Sequence, residues 1–200
     1  MKSRKDLSVR GLTGTLVLTM LLEAVMWGSV LTGWTTVGSA GTVDEDSMSI
    51  VGLRGPFVEL KTSCLLAILG IQKWCSVATG AVTVRYNIVP TGALNIMPPS
   101  GFVPFVLTSR FRDAGNAQRV LLQLKEVNLQ SGGETTLLTI DSDSFSSSTN
   151  YQTQAGPRAC GFTFNFDQNA YYVEAQISSY TGTGPSPGLE TIWINRCANL

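Results

Sequence analysis

Histidine is absent from all 200 residues of this chain, which removes the side chain most used as a general base near neutral pH and the commonest zinc ligand. Histidine-dependent nucleophilic triads and the usual zinc-hydrolase centres are therefore excluded. An excess of charge is missing too: 14 Lys and Arg stand against 14 Asp and Glu, so no net field points towards nucleic acid or an anionic membrane surface. No nucleic-acid partner is expected. Charged residues make up only 14% and hydrophobic ones 44%, the composition of a chain that buries a core. The sequence also has no CxxC pair, no internal repeat and no long amphipathic helical pattern beyond its first 40 residues.

Those first residues have the layout of an export signal. Lys2, Arg4, Lys5 and Arg10 precede a mostly apolar run over residues 12–34, and the small-residue stretch VGSA at 37–40 is followed closely by the acidic VDED at 43–46. The expectation is a signal peptide over residues 1–40, forming a helix and cleaved after Ala40, with a single domain over 41–200. The alternative is an uncleaved N-terminal membrane anchor, because the apolar run approaches the roughly 20 residues that span a bilayer. Glu23 in its midst opposes that reading. The chain is thus expected to be secreted, periplasmic or at the cell surface, touching membrane only through this segment. Beyond residue 40 there remain ten basic and twelve acidic residues, a nearly neutral surface.

An even number of cysteines, Cys64, Cys75, Cys160 and Cys197, lies beyond the signal, and in an exported chain this favours disulfides. Four cysteines allow three pairings; Cys64 with Cys75 and Cys160 with Cys197 is the preferred one. The stretch between the first two, CLLAILGIQKWC, is strongly apolar and reads as a short buried helix, a loop cap or an exposed hydrophobic contact.

From residue 81 onward the pattern has period two. Val82, Val84, Tyr86 and Ile88 alternate with Thr83, Arg85 and Asn87, one dry face against one wet. Further strands are predicted over 102–113, 118–129, 134–142, 161–166, 170–180 and 189–197, with weaker ones in SMSIVGL and PFVELKT. The turns DAGNA and QSGGE carry the Gly and Asn of hairpins. The serine-rich segment 141–159 reads as a linker, as do 90–101 and 181–188. Many short strands and no helix predict an all-β fold: an antiparallel two-sheet β-sandwich, jelly-roll-like, with a closed barrel as the alternative.

Candidate sites follow from side-chain chemistry. Tyr151, Tyr172, Tyr180 and Trp193 fall on predicted wet faces or loops, where rings stack on sugars or fill an interface. Arg110, Arg112 and Arg119 surround one turn and could fork onto an anion. Asp141 and Asp143 are the candidate ligands for calcium, the one cofactor considered. Glu126 and Glu174 are expected on a polar face; a glycosidase would need two carboxyls about 5 to 9.5 Å apart across a cleft. No catalytic residue is assigned. The expected function is a non-catalytic exported module binding an extracellular glycan or a cell-surface protein. The alternatives are a self-assembling cell-envelope protein and a carboxylate-dependent glycan-active enzyme.

Overall fold

In the computed structural model, the described residues are 34–66, 73–90, 94, 105–115, 117–159 and 163–196. Thirteen strands run through them: β1 (Trp34–Val37), β2 (Thr42–Val43), β3 (Val51–Arg54), β4 (Phe57–Leu60), β5 (Thr62–Leu66), β6 (Lys73–Val77), β7 (Gly80–Ile88), β8 (Phe105–Asp113), β9 (Gln118–Asn128), β10 (Glu134–Asp141), β11 (Ser148–Ala159), β12 (Asn169–Ser179) and β13 (Gly188–Arg196). The first sheet has the order β11-β8-β13-β4-β3, with β1 also paired to β13. A second sheet has the order β10-β9-β12-β7-β2, and β5 and β6 form a separate two-stranded ribbon. All pairs are antiparallel, and the fold is the two-sheet β-sandwich expected.

Period-two patterning explains the packing. The inward rows of the second sheet, Val82, Val84, Tyr86 and Ile88 on β7, Val120, Leu122 and Leu124 on β9, and Val173, Ala175 and Ile177 on β12, are buried. They meet Leu107 and Phe111 from β8 and Leu189, Ile192 and Ile194 from β13 in one continuous core. Each Val, Leu or Ile removed from water this way contributes about 1.5 to 3 kcal/mol.

Several expectations change. The leader reading placed residues 34–40 outside the domain, yet Trp34–Val37 pairs with β13 and Trp34 is only 8% exposed. The apolar stretch between Cys64 and Cys75 is entered and left by strands rather than by a helix: the two cysteines face each other in the β5–β6 register and are joined by a disulfide. Cys160 and Cys197 lie outside the described residues, and with them their expected pairing. The supposed linker 141–159 holds β11, twelve residues long. Residues 163–166 of the predicted strand GFTFNF are coil and turn, where Phe164 and Phe166 fold against Tyr171.

The turn after β8 is not a hairpin, because β8 and β9 belong to different sheets. Asp113 closes β8 by accepting from the Gly115 amide at 2.9 Å and from the Ser142 hydroxyl. Gln118 opens β9 by accepting from Ala114 N and donating to Pro185 O at 2.7 Å. This polar plug seals one end of the sandwich with its buried groups satisfied. The chain changes sheet again between β10 and β11, β11 and β12, and β12 and β13.

Candidate functional site

Sheet switching distributes the candidate side chains over three separate places. Arg110 and Arg112 point out from β8 on the first sheet, whereas Arg119 begins β9 on the second. The single arginine cluster expected around one turn is therefore split between opposite faces.

On the outer face of the first sheet, Tyr151 reaches inward from the edge strand β11. Its ring packs 4.9 Å from Phe57, lies under the Arg112 guanidinium at 4.8 Å, and its hydroxyl donates to Glu59. Arg112 donates to the same carboxylate at 2.8 Å and to Ser186 O at 2.6 Å. Gly188 underlies the contact: a Cβ there would stand 2.5 Å from the Tyr151 hydroxyl. Burial, reinforced by the Glu59 carboxylate, pushes the Tyr151 hydroxyl far above its ordinary pKa. Tyr151 and Arg112 thus satisfy each other within the fold. Arg110 pairs with Glu190 at 2.5 Å, and Trp193 is half-buried between Thr35 and Thr108 in register.

At the plugged end, Tyr180 is 75% exposed beside a groove of about 480 Å³ lined by small and hydroxyl residues, among them Ser147, Thr149, Thr181 and Thr183. Asp141 gives both oxygens to the Arg119 guanidinium, which also faces Asp143 at 3.6 Å. The Arg119 hydrogen bond holds the Asp141 carboxyl below its ordinary pKa. Among the described residues no three His, Cys, Asp or Glu side chains gather as a metal site.

Tyr172 is the ring around which a polar surface is organised. The outward registers of the second sheet make two rows, Arg85–Glu174–Gln123–Thr139 and Asn87–Tyr172–Lys125–Thr136, running across β7, β12, β9 and β10. Within them Arg85 Nε donates to Glu174 Oε2 at 3.0 Å and Lys125 Nζ to Glu174 Oε1 at 2.9 Å. Lys125 also meets Glu134 at 3.0 Å, and the Tyr172 hydroxyl donates to Glu134. Both cations stand 5.9 Å from the centre of the Tyr172 ring.

The electrostatics follow from these contacts. Hydrogen bonds from Tyr172 and then Lys125 hold the Glu134 carboxyl below its ordinary pKa. Burial would raise Glu174, but hydrogen bonds from Lys125 and Arg85 outweigh it and the net shift is downward. Lys125 is likewise pulled down by burial and pushed higher by its two carboxylates, ending above its ordinary value. Two carboxylates and two cations are therefore all charged near neutral pH and mutually balanced. Glu126 does not join them: it has the parity of the buried β9 row and interacts with Tyr171 instead. Sequence reading picked out Tyr172 but missed Lys125, since nothing before the strand order is known places β9 beside β12.

No family model and no curated protein matches the chain. Among solved structures, it resembles a family 11 carbohydrate-binding module from Clostridium thermocellum in complex with a beta-1,3-1,4-mixed-linked tetrasaccharide, at 12% identity over 85% of this chain and 91% of that one, with a TM-score of 0.34. A xylan-binding domain from carbohydrate-binding module 22 shares 16% identity over 84% and 94% of the two chains, with a TM-score of 0.35. The family 11 module of a cellulosomal cellulase of Clostridium thermocellum shares 10% identity over 85% and 89%, with a TM-score of 0.33. The likeness is distant, and the sugars bound are properties of those modules.

Proposed function

We propose that the protein is a non-catalytic extracytoplasmic module that binds a neutral glycan on the outer face of its second sheet. One observation carries the reading: the half-buried Tyr172 ring lies in a sheet face whose neighbours in register are amides, hydroxyls and balanced ion pairs. A sugar offers a C–H face to an aromatic ring and hydroxyls to flanking donors and acceptors, and this face supplies both. Neutrality of the ligand follows from charge, since Arg85 and Lys125 each already meet a carboxylate and an acidic glycan would have to displace it.

Binding rather than hydrolysis is favoured because a glycosidase pair needs one carboxyl that keeps its proton near neutral pH. Glu134 and Glu174 are both shifted the other way. An extracytoplasmic location accords with the basic and apolar N-terminal segment and with the Cys64–Cys75 bridge, whose two cysteines are solvent-exposed.

Affinity electrophoresis of the purified protein through gels containing mixed-linkage β-glucan, xylan, mannan or the anionic control alginate tests the reading. Retardation by a neutral polysaccharide is expected, and Tyr172→Ala should weaken it about tenfold with the fold intact, a loss of about 1.4 kcal/mol. Folded protein that ignores every neutral polysaccharide, or one whose binding depends on Trp193 and not on Tyr172, overturns the assignment.

A further inference from the structure

We infer that residues 34–40 are retained in the exported protein: the VGSA stretch is not its processing site, and a peptidase that removes the basic, apolar leader cuts N-terminal to Trp34. Export itself rests on the function proposed above. The retained residues are bound into the sandwich at every step. Trp34, Thr35, Thr36 and Val37 pair in register with Ile194, Trp193, Ile192 and Thr191 of β13, and the Thr35 hydroxyl donates to Ile192 O at 3.2 Å. The next residue, Gly38, is buried where no side chain fits, because a Cβ would come within 2.2 Å of Leu189 O. Its carbonyl accepts from the buried Tyr86 hydroxyl at 2.5 Å, and Ser39 N donates to Pro56 O at 3.1 Å.

The segment also joins the two layers. β1 lies on the first sheet, β2 pairs with β7 on the second, and the bond after Ala40 falls in the crossing between them. Gly41 is pressed against the same tyrosine, with a Cβ position 2.6 Å from the Tyr86 ring. Cleavage after Ala40 would leave the Tyr86 hydroxyl buried without its acceptor, the Trp34 site empty and a stretch of β13 edge unpaired. An unpaired buried hydroxyl, a vacated aromatic site and an open strand edge are each destabilising. The glycine of this stretch has a reason in the fold: Gly38 must pass against Leu189 O and offer its carbonyl to Tyr86.

The test is the N-terminal residue of the full chain, expressed with a C-terminal tag in an exporting bacterial host and read by intact mass and N-terminal sequencing. In the exported fraction, a first residue at or before Trp34 is the expected result; a chain beginning anywhere after Trp34, Gly41 included, overturns the inference. In parallel, Gly38→Val in the full chain should lower the melting temperature of the recovered protein by roughly 5 to 10 °C. An unchanged melting temperature would show that the segment has left the protein. Fractionation of the same culture reports on export separately: a cytoplasmic chain with reduced cysteines contradicts the proposed location, and the Gly38→Val melting shift then still tests whether residues 34–40 belong to the fold.

Discussion

Lys125 is the residue on which the polar face turns. Its ammonium separates two carboxylates, and with side-chain exposures of 13% for Lys125 and 19% for Glu174 the pair is partly shielded from solvent. Lys125→Met should cost about 1 to 2 kcal/mol, between the ranges for exposed and buried pairs, measured by urea unfolding. The pH dependence has a definite sign. Glu174 and Glu134 have folded pKa values below the ordinary 4.5, so their contribution is present above that value and is lost as pH falls through the folded pKa. Lys125 is raised above 10.5, so its contribution holds below that value and is lost at more alkaline pH. Stability from this lattice is therefore flat from about pH 5 to about pH 10. In Lys125→Met the acid limb should shrink, and a variant with an unaltered acid limb would show that the lysine does not hold these carboxylates down. On the other face, Gly188→Ala drives a methyl into the Tyr151 hydroxyl and should cost about 1 to 3 kcal/mol, read as a lower urea midpoint.

Among the elements, β5 and β6 form a ladder of their own whose described side chains enter the core only through Val77, and its cross-link joins residues already opposite one another. Reduction of Cys64–Cys75 is expected to speed amide exchange in β5 and β6 while leaving β9 and β12 protected. Equal loss of protection in all four strands would mean that the ribbon and sandwich unfold together. Which strands were legible beforehand follows from where they lie. β7, β9 and β12 occupy the middle of the second sheet with one face on the core, so burial alternates residue by residue along most of each strand. β11 forms an edge of the first sheet, breaks register twice against β8, and displays Ser, Thr and Gln, so no apolar row announces it. The aromatic run at Phe164 and Phe166 misleads for the opposite reason: both rings pack around Tyr171, a demand that a coil meets as readily as a strand.

For the whole molecule, the two outer faces present different chemistry. Tyr172 and Trp193 looked equivalent as half-exposed aromatics, but sheet switching places them on opposite sides of the sandwich. Their residue types could be read from the sequence; their separation depends on long-range pairings such as Tyr172 with Lys125, which no local pattern contains. A neutral ligand on the Tyr172 face should bind almost equally at about 50 mM and about 500 mM salt, whereas an acidic one would weaken steeply as the Debye length shortens. Titration at the two salt concentrations separates these cases.

The pairing of β1 with β13 has a consequence in time. Trp34 on β1 pairs with Ile194 on β13, far along the sequence, so β1 has no partner until β13 has been made. Contacts of such sequence separation form late and slowly. The first sheet is therefore completed last, after every strand of the second sheet has already been synthesised.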